Sequence, residues 1–230
     1  MADIFQLGIS AADCDVTVAL NGFPVFRHRG PEQAGGGMPL NPLLIGAGNV
    51  LKVAVKDRGP GASLSGRITV SRRGTVVEAG GGPLALPSGD NREWRFDSEI
   101  APLAKVLAAA TVSGEASMRA FAVALGEAFR AGDEGTLLRL FASKIDGYAE
   151  GFGQPREAME AALRQGFLPF LGRDPGFAEA DVEAVPHCGG RIFELRRRDG
   201  SPLLSVHEAD GSTQMEVFAA LLPGGPAVVR

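Results

Sequence analysis

Apolar and polar residues alternate along the first half of the chain, and near residue 112 the alternation gives way to an apolar stripe that recurs about every 3.6 residues. A period of two places alternate side chains on opposite faces of a strand, whereas the longer period keeps one helix face apolar. The change predicts two domains, an all-β antiparallel sandwich over 1–112 and an α+β domain over 113–230.

In the first domain Asp15 to Leu20 and Phe23 to Arg29 flank Asn21-Gly22, a pair that accepts the positive φ angles of a two-residue hairpin turn. Val50 to Lys56 follows, with Leu51, Val53 and Val55 on one face. A second hairpin is expected from Leu64 to Arg72 and Thr75 to Ala79 around Arg73-Gly74, and the last strand from Arg92 to Asp97, which holds the only tryptophan, Trp94. Short strands with turn signals between them predict two packed sheets. Gly35-Gly36-Gly37 and Gly80-Gly81-Gly82 read as flexible loops, without the strand-to-helix setting of a phosphate cradle.

In the second domain Met118, Phe121, Ala122, Leu125, Ala128 and Phe129 share one stripe of a helix that stops at Gly132. Asp133 caps the next, whose stripe is Leu137, Leu140, Phe141, Ile145, Tyr148 and Phe152. Pro155 opens a third, burying Met159, Ala162, Leu163, Phe167, Phe170 and Leu171, and Pro169 kinks or ends it. From Glu179 the period returns to two, with strands at about 179–185, 190–198, 201–208, 213–222 and 226–230. The expected domain is three helices packed on one antiparallel curved sheet.

Two resemblances accompany these patterns. Leu20-Asn21-Gly22 and the run Leu43 to Val55, with Gly46-Ala47-Gly48-Asn49 at its turn, resemble the galactose-binding-like jelly-roll modules of many glycoside hydrolases. That resemblance implies a jelly-roll-like sandwich that binds sugars or serves as a packing unit. Ala124 to Ala142, an amphipathic helix pair joined by Gly132-Asp133, together with the terminal strand at Ala227 to Arg230, resembles the nuclear-transport-factor-two-like superfamily of ketosteroid isomerases and polyketide cyclases. It implies a cone-like fold with a pocket between helices and sheet, an Asp as base and a Tyr or protonated Asp polarising the substrate. Asp146 and Tyr148 are the nearest matches, but two positions on a helix turn about 200°, which points them apart.

Composition narrows the functional classes. The 230 residues carry 45% hydrophobic and 22% charged side chains, as in ordinary globular proteins, and a net charge of −4. The one dense basic run, Arg196 to Arg198, precedes the Asp199-Gly200 turn and reads as a solvated strand end, so nucleic acid is not an expected partner. Met1 to Ser10 has no basic flank and no window approaches the length of a membrane span, so the expected setting is cytoplasmic, without membrane association. Arg outnumbers Lys and Ala and Gly abound, the composition of a GC-rich bacterial genome. Cys14 and Cys188 lie in different domains and are expected as thiols rather than a bridge.

Candidate chemistry is sparse. A hairpin at Asp199-Gly200 would set Ile192 against His207 and leave His187 roughly 16 Å out of register, too far for a shared metal. The same register puts Phe193, Leu195, Leu204 and Val206 on the face toward the helices, with Glu194, Ser205 and His207 on the other. The expected pocket is therefore apolar, lined by Tyr148, Phe152, Phe167, Phe193, Leu195, Leu204 and Val206. No catalytic residue, cofactor or metal is assigned. The favoured function is a non-catalytic binding or protein-interaction module, monomeric or homodimeric, that takes a protein partner or a small apolar ligand. An isomerase, dehydratase or cyclase-type enzyme is the first alternative and a carbohydrate-binding accessory protein the second, although Phe23, Phe26 and Trp94 read as strand packing rather than an exposed platform.

Overall fold

In the computed structural model, which describes residues 3–72, 75–83, 89, 91–208 and 211–230, Phe5, Leu7, Ile9 and Ala11 continue the alternation N-terminally from Val16, Val18 and Leu20. All seven are buried along a single strand, β1 (Ile4–Leu20). Strands β2 (Phe23–His28), β3 (Gln33–Pro39), β4 (Asn49–Arg72), β5 (Thr75–Pro83) and β6 (Asn91–Phe96) follow. β1 and β4 pair antiparallel over nearly their whole length. β2 and β3 then share the other edge of β1, while β5 and β6 share the other edge of β4.

The six strands make one antiparallel sheet, curled into a half-barrel, so the expected two-sheet sandwich with its jelly-roll form is not what the chain builds. The physical reason lies in the bulges. Register shifts between Ala12 and Cys14 and between Asp15 and Val16 increase the local twist of β1 against β4. One half of the sheet is thereby folded over the other. Phe5 stacks on Phe96 with ring centroids 5.6 Å apart, and Leu7, Ile9 and Ile68 meet Leu51, Val53 and Trp94 around a residual space of only about 10 Å³. A second sheet is not needed to bury this face. The glycine runs are strand, not loop: Gly35 to Gly37 pair with Ser10 to Gly8, and Gly80 to Gly82 pair with Ile68 to Gly66. A Cβ on Gly35 would overlap the Ile9 carbonyl, so the close approach of β3 to β1 requires glycine there. The Asn21-Gly22 turn forms with φ of 54° and 80°. The turn expected at Arg73-Gly74 lies outside the described residues.

Helices α1 (Pro102–Ala109), α2 (Glu115–Ala131), α3 (Glu134–Leu140), α4 (Ala142–Phe152) and α5 (Arg156–Phe167) come next. Five helices replace the expected three, because α1 precedes the first of them and the second expected helix breaks at Phe141, whose φ of −95° and ψ of 4° end α3. The apolar stripe runs across that break unaltered, which is why periodicity alone missed it. Gly132 takes the left-handed conformation at the end of α2, its N–H donating to the Ala128 and Phe129 carbonyls. Asp133 then caps α3 by accepting from the Thr136 N–H at 2.9 Å.

The remaining strands are β7 (Val182–His187), β8 (Ile192–Arg197), β9 (Leu204–Glu208), β10 (Gly211–Met215), β11 (Val217–Leu222) and β12 (Gly225–Val228). They form a four-stranded antiparallel sheet in the order β12-β11-β8-β7 and a separate two-stranded ribbon, β9 with β10, instead of one curved sheet. The Asp199-Gly200 turn does form, but it zips up only the bridge of Arg196 with Pro202. Proline cannot donate to a ladder, and the other edges of β8 are taken by β7 and β11.

The chain divides into two compact units, residues 1–104 with 150–153 and residues 105–149 with 154–230. In the second unit α2 packs Met118, Phe121, Leu125 and Phe129 into a core with Val182, Phe193, Leu195 and Val217. Phe129, Phe141 and Phe167 meet edge to face, Phe167 standing 5.3 Å from Phe129 and 4.9 Å from Phe141. Among the described residues no helix is long and apolar enough to cross a membrane.

Candidate functional site

Polar groups buried in the first unit are held by internal partners. Asn49 accepts from the Ile45 N–H at 2.9 Å and from Asn21 Nδ2 at 3.0 Å, and it donates to Ser98 Oγ at 3.2 Å. Asn21 in turn accepts from the Val50 N–H at 2.9 Å and donates to the Leu43 carbonyl at 2.8 Å. Asn41 accepts from the Phe5 N–H at 2.7 Å and donates to the Asp3 carbonyl at 2.7 Å. The residues behind the jelly-roll resemblance, Asn21 and Gly48-Asn49, are thus a brace between two turns rather than a ligand loop. Phe23 is fully buried, and Trp94, half-buried, lines the inner face of the curl.

The same unit has an open concavity of about 400 Å³ where β1 and β4 bulge, lined by Asp13, Asp15, Asp57, Arg29 and Arg58 among others. Its carboxylates have partners: Asp13 accepts from the Gly61 N–H at 2.8 Å, Asp57 from the Arg58 N–H at 2.8 Å, and Asp15 pairs with Arg29 at 3.3 Å. Among the described residues no group of three His, Cys, Asp or Glu side chains is placed to hold a metal ion.

The second unit offers a different arrangement. Lys144, Ile145 and Tyr148 project from α4, and Met159, Ala162 and Leu163 from α5. Each set has the three- and four-residue spacing that brings side chains onto one helix face, and together they line a groove of about 200 Å³. The Lys144 ammonium lies 5.7 Å from the centre of the Phe141 ring and 5.6 Å from that of Tyr148. The guanidinium of Arg230 donates to the Tyr148 phenol, covers the Phe218 ring at 5.2 Å and approaches Glu216 at 3.7 Å.

Electrostatics single out Lys144. Burial, together with repulsion from Arg230 and against the pull of Glu216, lowers its pKa to about 8. Burial also raises the Tyr148 phenol above its ordinary value, opposed by Arg230. Among the described residues Lys144 makes no salt bridge, so the groove holds a half-buried cation whose contacts are aromatic faces.

The residues expected to line one pocket are dispersed. Tyr148 is in the groove, whereas Phe167, Phe193, Leu195 and Leu204 fill the closed core and Val206 packs against it. Phe152 is half-buried at the end of α4, outside the groove lining. Asp146 is turned to solvent and bonds Arg156 at 2.9 Å, so it forms no dyad with Tyr148. Glu194 is buried and meets His187 at 3.3 Å, because β8 pairs with β7, whereas the expected neighbour His207 is exposed. Cys188, next to His187, carries a thiol that burial pushes up to about 11, far from a reactive thiolate.

Sequence reasoning missed Lys144, Arg230 and Glu216. The first was within reach, since Lys144 lies three residues after Phe141 and four before Tyr148 on an otherwise apolar stripe. Arg230 and Glu216 arrive from the last strands by tertiary folding, which no local signal announces. No family model matches the chain, and neither the curated proteins nor the solved structures contain a significant match.

Proposed function

We propose that the chain is a non-catalytic binding module and that its ligand occupies the groove between α4 and α5. One observation carries this reading: apolar walls from Ile145, Met159, Ala162 and Leu163 converge on a half-buried lysine that has no salt-bridge partner among the described residues. Apolar lining with a few placed polar groups is the usual make-up of a ligand site. A small ligand fits better than a protein surface. Beside the groove, Arg156 is held by Asp146 and Glu160, and Arg164 by Glu160 and Glu134. A covering protein would have to desolvate those ion pairs, which is costly.

The test uses the neutral, environment-sensitive dye N-phenyl-1-naphthylamine. Its fluorescence is expected to rise with the full chain and to stay flat with Ala162→Trp, which fills the groove, provided the variant keeps the parent circular dichroism. Equal enhancement by parent and variant would place the dye elsewhere and refute the reading.

A second reading, an isomerase, dehydratase or cyclase-type enzyme on a small apolar substrate, draws on the Lys144 amine, whose pKa of about 8 suits a base near neutral pH. It calls for proton exchange next to a ketone. Deuterium uptake at the α carbons of cyclohexanone, followed by proton NMR, is expected at the background rate. An acceleration lost in Lys144→Met would favour the enzyme.

A further inference from the structure

We infer that the groove takes a small amphiphilic carboxylate, its alkyl chain lying along Ile145, Met159, Ala162 and Leu163 and its carboxylate on the Lys144 ammonium. The inference rests on the groove being the binding site and adds the ligand's charge and size. Among the described residues two cations, Lys144 and Arg230, stand against one side-chain carboxylate, Glu216, and the pair of Arg230 with Glu216 at 3.7 Å leaves the lysine without a salt bridge. One further anion would neutralise the cluster. A single lysine suits a monoanion better than a phosphate ester, for which forked arginine contacts are the stronger match.

Size follows from the space. The groove of about 200 Å³ is open along its length and admits a short alkyl chain, for which octanoate is the probe. The aromatic faces of Phe141 and Tyr148 confine the ammonium without neutralising it, so a ligand carboxylate replaces no existing ion pair.

Among the described residues, the charged and titratable groups that face Lys144 are Arg230, Glu216 and Tyr148. The phenol of Tyr148 is held above its ordinary value, so between pH 7 and 9.5 the lysine is the group that changes charge. A carboxylate ligand stays ionised over that range. Its binding is therefore expected to weaken as pH rises through about 8, when the unliganded lysine gives up its proton.

Isothermal titration of the full chain with octanoate, octan-1-ol and octyltrimethylammonium decides the matter. At pH 7 octanoate is expected to bind about ten-fold tighter than octanol, the worth of a charge-assisted contact, and the cation more weakly than either. Lys144→Met should bring octanoate down to the level of octanol measured on the same variant. Lys144→Arg should keep the preference and remove its loss at pH 9.5. Octanoate binding no tighter than octanol, or a preference that survives Lys144→Met, overturns the carboxylate assignment while the groove reading stands. If neither octanoate nor octanol binds, the groove reading falls as well.

Discussion

The two units bury their apolar residues by different means, and the difference shows where to look for function. The first unit curls a single sheet until Leu7 and Ile9 reach Leu51, Val53 and Trp94, leaving about 10 Å³ between them, and the carboxylates of its larger, open concavity are already partnered. The second lays helices against a sheet and leaves about 200 Å³ between α4 and α5. Buried asparagines in the first unit spend their donors and acceptors on backbone and on each other. The lysine of the second unit is half-buried without a carboxylate of its own among the described residues. A satisfied polar group holds a fold together, whereas one left in want of a counter-charge marks a surface prepared for something else.

Nature has placed one tryptophan and one tyrosine in this chain, Trp94 and Tyr148, one in each unit, so the comparison can be broken one side at a time. The largest effect is expected from Phe129→Ala, which empties the edge-to-face cluster with Phe141 and Phe167. A loss of about 4 kcal/mol is expected, read as an earlier urea transition at Tyr148. Asn49→Ala comes next. It strands the Ile45 N–H and removes one of the acceptors of the Asn21 amide, which keeps the Leu43 carbonyl, costs roughly 1 to 3 kcal/mol, and should appear in the Trp94 fluorescence transition. Either substitution moving only the other unit's reporter would break the division drawn between them.

Lys144→Met is expected to act on pH dependence more than on stability at one pH. The folded-state pKa of Lys144 is lowered from 10.5 to about 8, so between those values the unfolded chain binds more protons and stability rises with pH. Cys188 opposes this: its thiol is raised from 9.0 to about 11, and over that window the folded chain binds more protons, so stability falls. The difference between parent and Lys144→Met, measured by urea denaturation from pH 7 to 10.5, isolates the lysine and should climb with pH. A flat difference would show that Lys144 titrates as a solvated amine. The smallest effect is expected from Asp146→Asn, which removes an exposed partner of Arg156 and should leave octanoate affinity unchanged.

What could be read from the sequence was local. Asn21-Gly22 turns the chain because both residues accept positive φ, and Gly132-Asp133 ends one helix and caps the next through their own backbone and side-chain bonds. What escaped depended on partners far along the chain. The start of β1 was hidden by Gly8 and Ser10, which resemble turn residues until pairing with β4 makes them strand, and by Asp13, which sits unpaired at the bulge with a φ of 49°. The register of β8 was taken from the turn that follows it, but Pro202 stops that ladder and the more distant β11 takes its place. Periodicity correctly put Tyr148 on an inward stripe, yet it could not separate the closed core of Phe167 and Phe193 from the open groove, because both are apolar.

The most direct test places the ligand at a residue. In protein labelled with 3-fluorotyrosine, Tyr148 contributes the single fluorine resonance, since it is the only tyrosine. Titration with octanoate is expected to shift that resonance saturably, with the midpoint found by calorimetry, and Ala162→Trp is expected to abolish the shift. A resonance that stays still while octanoate binds would put the ligand outside the α4–α5 groove and contradict the account.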